Sequence, residues 1–299
     1  MKPFRNLSPQ AIVLVGVLSV SISPILSKAS EAPAHMTAFY RLFFTVVLMT
    51  LLKPRQVLKD LRTLPLRDSL LSWASGFFLA LHFTAWIASL QYTSVASSTV
   101  LVSMHPPLML AAAWLLLKER PTRRQVFAVL LTVAGSALLA LEDFGRGQDS
   151  LFGDGLALLG AVFVVAYLVL GRKVRSRVEN HQYTLHTYAS CTVTLLLISL
   201  ALRTPFTGYA PKEYAIFLAL AVFPTLLGHT LFNWALEYVS PTLISVSVLG
   251  EPVFAAILAL FIFSEPVGLL QGLGGAVILA GIWLYSGGTG RPSPEKETA

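Results

Sequence analysis

The chain has 299 residues, of which 55% are apolar and 12% charged, with a mean hydropathy of +0.69. A water-soluble domain of that composition would lack the polar surface to cover itself. The net charge of +7 does not mark a nucleic-acid binder, because Lys and Arg gather in particular connections between apolar stretches. The single cysteine, Cys191, lies within one such stretch, which excludes an intrachain disulfide and suggests no metal cluster.

Windows of about 20 apolar residues predict ten membrane spans, near 10–27, 34–52, 68–90, 93–117, 122–141, 153–171, 183–202, 212–236, 239–263 and 266–286. The first follows Lys2 and Arg5 and precedes small residues near Ala29, so it imitates a secretory signal peptide; the second half opens with its own counterpart span, which argues against cleavage. Ser19, Ser23 and Ser27 form a stripe on span one that either lines a path or permits close helix packing. Span two carries Arg41, with Thr37 and Thr45 a turn to either side, and a hydrophilic connection, 53–67, follows. On span three Phe78, His82 and Trp86 share a face, as packing or as an aromatic wall with one titratable group.

Tyr92 marks a tight turn into span four, where His105 precedes Pro106. Span five is sparse in polar residues. The stretch 142–152 links two modules, 10–141 and 153–286, and 287–299 reads as a disordered tail. Tyr167 stands in span six. Span eight has a polar stripe, Thr225, His229, Asn233 and Glu237, one residue in four. Such a stripe faces the protein interior, lining a cavity or making interhelical hydrogen bonds, with Glu237 near the membrane interface. Span nine holds Glu251 before Pro252, and span ten pairs Gly268 with Gly272, a packing surface within the monomer or in a dimer.

The two modules repeat each other. Tyr92, Ser94, Pro106, Glu119 and Gly135 are answered by Tyr238, Ser240, Pro252, Glu265 and Gly281, each at an offset of 146. Five spans is an odd number, so the second module must be inverted in the bilayer, the build of secondary transporters. On one side the connections and termini carry 17 Lys and Arg, on the other 4. The positive-inside bias places both termini in the cytoplasm, which requires an even number of spans, and ten satisfies it.

The stretches HPPLMLAAAWLLLKERPTRRQVFAVLLTVAGSALL and EPVFAAILALFIFSEPVGLLQGLGGAVILAGIWL, with AFYR at Ala38 to Arg41, resemble the two copies of the EamA domain of the drug/metabolite transporter superfamily. The resemblance covers nearly the whole chain and implies a ten-helix inverted-repeat carrier with cytoplasmic ends, exporting small metabolites, amino acids or drugs. It also implies that spans five and ten brace the periphery of a cavity bounded by the others. Pro266 and Val267 replace Arg120 and Pro121 in the second copy, and no Arg answers Arg41.

His105 and Glu251 each lie twelve residues from either end of their spans. At about 1.5 Å per residue that is about 18 Å, near the midplane. An unpaired carboxylate there costs at least about 2.5 to 3.5 kcal/mol, so Glu251 should face a wet cavity, be protonated or have a partner. One reading makes Glu251 a site for a cation or amine and His105 a proton relay; the other makes Glu251 a clamp between helices. Arg41 is expected in a structural or gating ion pair, Glu251 being a candidate partner. Candidate lining residues are thus Ser23, Arg41, His82, Trp86, His105, Tyr167, His229, Asn233 and Glu251. The sequence reads as an inner-membrane carrier of a small molecule working by alternating access. Export is the first reading, uptake or facilitated diffusion the second, with protons a candidate coupling ion, monomer or homodimer open, and neither cofactor nor metal expected. A channel or receptor competes weakly, and an enzyme lacks its motif, since the histidines show no HExxH spacing and no phosphate-gripping glycine loop occurs.

Overall fold

The structure, a computed structural model, describes residues 8–89, 92, 101–102, 105–141, 151–251, 253–254, 257 and 269–286. The expectations for Ser94, Pro252, Glu265, Gly268 and the tail fall outside the described residues. The described chain is helical: α1 (Pro9–Val20), α2 (Ser23–Ala29), α3 (Ala34–Leu52), α4 (Pro54–Thr63), α5 (Leu66–Ser89), α6 (His105–Leu117), α7 (Arg123–Leu141), α8 (Leu151–Arg175), α9 (Asn180–Ala201), α10 (Pro211–Leu220), a π-helical stretch (Ala221–His229), α11 (Thr230–Ala235), α12 (Pro241–Val248) and α13 (Leu269–Ser286). Among the described residues, six segments are long and apolar enough to cross a membrane: Pro9–Ser27, Ala34–Leu52, Leu66–Ser89, Phe152–Arg175, Asn180–Ala201 and Pro211–Ala235. Large apolar side chains such as Leu14, Leu130, Leu197 and Trp283 also coat the outside, as hydrocarbon demands and water would penalise.

Three local departures from the predicted elements have backbone causes. Span one breaks after Val20, because Pro24 cannot donate to the carbonyl a turn earlier and instead opens α2 in its first turn. Ser21 closes the first piece, its N–H and hydroxyl both donating to the Val17 carbonyl at 3.0 and 2.8 Å. The serine stripe is therefore split, Ser19 bonding back to Val15 and Ser23 turning to Arg41. The connection 53–67 is not a plain loop but contains α4, which buries Val57 and Asp60 and leaves Leu58 and Leu61 exposed. Span eight changes winding for nine residues around Pro224. By contrast α12 starts as its sequence reads: the Ser240 hydroxyl accepts from the Leu243 N–H at 3.2 Å and Pro241 fills the first turn.

Helices at corresponding places in the two modules make corresponding contacts. The helices α7 and α13 pack face to face through glycine. A Cβ at Gly135 would lie 2.8 Å from the Gly274 carbonyl oxygen and 2.9 Å from the Ile278 nitrogen, and one at Gly281 would lie 3.1 Å from the Ala128 oxygen and the Thr132 nitrogen. Gly135 and Gly281 are 146 apart, and so are Thr132 and Ile278, so each contact is the other's mate. As α7 advances from Ala128 to Gly135, its partner retreats from Gly281 to Gly274, so the helices run antiparallel. A looser correspondence occurs inside the bundle, where Gly160 of α8 sits against Trp86 and Gly16 of α1 against Phe232; the two aromatic residues are 146 apart and the two glycines 144.

Apart from Arg41 and Glu251, the charge pairs of the described residues gather at the bundle ends. At one end four connections are tied together: Arg177 to Asp68 at 2.6 Å, Arg175 to Glu237 at 2.6 Å, His181 to Asp60 at 2.7 Å and Arg172 to Glu119 at 3.6 Å. These join the helix pairs α3/α5, α6/α7, α8/α9 and α11/α12. At the other end the Glu213 carboxylate accepts from the Ser30 hydroxyl at 2.5 Å and the Glu31 N–H at 3.1 Å. There Tyr40 stacks on Phe217 at 4.9 Å, against Tyr209 and Tyr214, and its hydroxyl donates to the Phe206 carbonyl.

Candidate functional site

Arg41 is the Lys or Arg that the described spans carry in their middle, and only 3% of it is exposed. The break in span one brings Ser23 to it, and the π-helical stretch brings Thr225. The Arg41 Nε donates to the Thr225 hydroxyl at 2.7 Å and Nη1 to Ser23 at 3.2 Å, while the guanidinium carbon lies 4.5 Å from the centre of the Phe83 ring. The backbone explains why Thr225 is there. Pro224 has no N–H to give the Leu220 carbonyl, and the Thr225 hydroxyl donates to it at 2.9 Å, leaving its own lone pair for Arg41. Thr45, one turn along α3, bonds back to the Arg41 carbonyl at 2.7 Å.

The expected ion pair with Glu251 is not among the contacts of the described residues. Glu251 lies within electrostatic reach of Arg41, but the near partners of the guanidinium are neutral hydroxyls and a ring face. Its Nη2 is buried without a hydrogen-bond partner.

Of the other predicted residues, His229 packs on the Phe83 ring beside the guanidinium, and the rest have partners of their own. The His82 ring lies parallel to Trp86, 6.2 Å away at 7°, and its Nδ1 meets the Gly160 carbonyl at 2.9 Å. His229 packs edge-on to Phe83 at 5.6 Å, Phe232 at 6.1 Å and Tyr167 at 6.4 Å, with Nδ1 buried and unpartnered. Tyr167 donates to the Asn233 Oδ1 at 2.5 Å, and the Asn233 amide reaches the Tyr188 hydroxyl at 3.4 Å. His105 is held between two carbonyls, its Nδ1 2.9 Å from that of Val102 and its Nε2 3.2 Å from that of Ser245. The stripe of span eight is thus divided by role. Thr225, His229 and Asn233 face the interior, whereas Glu237 pairs with Arg175 at the bundle end.

Three contributors escaped the sequence reading. Phe83 was hidden one residue from the His82 face. Tyr188, which also meets the Thr230 hydroxyl at 3.1 Å, and Tyr183, bonded to Ser75 at 2.7 Å, come from α9. The signal available was the run of Thr, Tyr, His and Ser in the first half of that helix.

Outside the spans, burial holds the Glu119 carboxyl above its ordinary range while Arg172 pulls against the shift. A crevice of about 180 Å³ lies between α1, α12 and α13, lined by Val13, Val17, Leu243, Ser247 and Phe254 among others. None of the Arg41 cluster lines it. No group of three His, Cys, Asp or Glu close enough to hold a metal occurs among the described residues.

A helical bundle whose polar groups are gathered at mid-depth, inside an apolar coat, is the architecture of a membrane carrier. Residues 8–141 and 151–287 each match the EamA-like transporter family. The chain belongs to that family: it is a multi-pass membrane protein that carries a small molecule across a bilayer, and not an enzyme. It is 28% identical over 272 residues to an uncharacterized transporter of Archaeoglobus fulgidus, covering 91% of this chain and 93% of that one. It is also 27% identical over 205 residues to the UDP-galactose/UDP-glucose transporter 7 of Arabidopsis thaliana, covering 67% and 59%. A solved crystal structure superposes with a TM-score of 0.78 over 93% of this chain and 97% of that one; at 18% identity the likeness is one of fold.

Proposed function

We propose that the protein is a ten-span exporter of the cytoplasmic membrane, in which two inverted modules, 10–141 and 153–286, rock against each other around the Arg41 cluster. The observation that carries this reading is the reciprocal, antiparallel packing of α7 and α13 through Gly135 and Gly281. Counterpart helices related by a two-fold axis in the membrane plane must run oppositely and exchange contacts in pairs. The ion pairs agree, since they tie together the four connections that ten alternating spans with cytoplasmic ends would leave on one face. The lining would be Ser23, Arg41, His82, Trp86, His105, Tyr167, His229, Asn233 and Glu251, with His105 and Glu251 as the groups that exchange protons during the cycle.

Two measurements test it. Cysteines placed singly at 119 and 265, in a Cys191→Ser background, should label from opposite sides of the membrane. Labelling from the same side would end the inverted arrangement. In proteoliposomes, substrate on the far side should accelerate uptake of labelled substrate; flux without such exchange would indicate a channel.

A further inference from the structure

The Arg41 centre is short of an acceptor. Its Nε and Nη1 each have a hydroxyl, but Nη2 has nothing, although the side chain is 3% exposed. Across the Phe83 ring, which lies 4.5 Å from the guanidinium carbon and 5.6 Å from the His229 ring, His229 Nδ1 is also buried and unpartnered. A buried donor left unmade costs about 1–3 kcal/mol, and more when it is charged. Arg41 Nη2 is such a donor, and His229 Nδ1 becomes one in the tautomer that carries its proton there, so an oxygen acceptor beside the Phe83 ring would complete the guanidinium. No carboxylate of the described chain fills it: the nearest in effect, Glu251, acts on Arg41 only through space.

Charge sets the acceptor's class. Arg41 is the fixed cation in the middle of the described spans, and with the Glu251 carboxyl protonated it neutralises one negative charge there. A dianionic phosphate would leave net charge at mid-depth, where each unpaired charge costs at least about 2.5 kcal/mol. With Nε and Nη1 engaged, Arg41 also offers one nitrogen, which grips a single oxygen end-on and not a planar fork of two. The Phe83 ring against the guanidinium suits an apolar or aromatic body behind that oxygen.

We propose that the transported molecule bears one carboxylate, and that Arg41 Nη2 receives it with His229 as the second contact. This rests on the reading of the Arg41 cluster as the transport site. The test is binding of benzoate, 3-phenylpropionate and N-acetylphenylalanine, each against its primary amide, to the full purified chain in detergent, read by thermal shift and titration. The acids should bind at least about tenfold more tightly than their amides, the scale of one charge-assisted hydrogen bond. R41Q should erase that preference and R41K should keep part of it. Should R41Q not fold, H229F serves instead and should cut the preference several-fold. Amides that bind as well as their acids, across the set, overturn the proposal, as does an acid preference untouched by R41Q or H229F. Flux in liposomes separates the two readings. Acid-selective binding without exchange would sink the carrier reading and spare the site, whereas exchange of solutes with no acid preference would do the reverse.

Discussion

The helix Leu66–Ser89 and the stretch Pro211–Ala235 stand at equivalent places in the two modules, yet the first is α-helical throughout and the second rewinds as a π-helix between Ala221 and His229. At the offset of 146, Phe78 corresponds to Pro224, Leu79 to Thr225 and Phe83 to His229. The first module therefore presents an apolar, aromatic face, and its Phe83 ring lies under the guanidinium. In the second, a proline frees a carbonyl, a threonine hydroxyl takes it up, and that hydroxyl also receives Arg41. A duplicated scaffold has become asymmetric where its polar centre sits, and π-helical turns of this kind recur at functional sites.

Making the straight helix resemble the rewound one should have the largest effect. Phe78→Pro removes a ladder hydrogen bond where no neighbouring hydroxyl is placed to replace it, at about 3 kcal/mol or more. The yield of folded, monodisperse protein should collapse; near-normal yield would show that either helix tolerates rewinding. The opposite change, Thr225→Val, makes span eight resemble Leu79 of span three and strips Arg41 Nε of its acceptor. About 1.5–3 kcal/mol should be lost, because that hydrogen bond carries a charge and is buried, and chemical or thermal denaturation in detergent reads it.

A smaller contrast separates the two histidines. His82→Leu leaves the Gly160 carbonyl without its ring partner and should cost about 1 kcal/mol. His229→Leu removes a ring nitrogen that has no hydrogen-bond partner, so stability should be unchanged or slightly higher. Equal losses at both positions would mean that His229 is satisfied by bound water. The smallest stability change is expected for Pro224→Ala, since the Thr225 hydroxyl already occupies the carbonyl that a restored N–H would seek. The sign of the change should appear in dynamics. Amide exchange across Ala221–His229 should slow by about tenfold as the stretch returns to α-helical bonding, a shift of about 1.4 kcal/mol in local opening.

Much of this was legible in the chain. Ser240 followed by Pro241 announces a capped helix start, and the spacing from Gly135 to Gly281 announces a repeated contact, because small residues recur where backbones touch. The interior stripe of span eight was also visible, since a polar row on an apolar helix has nowhere to go but inward. The nearest partners of Arg41 were not legible, although Glu251 does lie within its electrostatic reach. A buried arginine and a buried glutamate in one sequence suggest an ion pair, but composition cannot say that a proline two-thirds of the chain away would turn a threonine toward the guanidinium first. Nor could it show that Glu237, expected near the interface, would find Arg175 there as its partner.

The sequence alone determined that the chain lives in lipid, that it is built from two related modules, and which side of span eight is polar. These follow from hydropathy and periodicity, which depend only on neighbours along the chain. Tertiary structure decided which polar groups meet and which are left without partners. A hydrogen bond is fixed by distances of a few tenths of an ångström between helices far apart in sequence, and a local backbone break such as that at Pro24 or Pro224 shifts those distances by more than that.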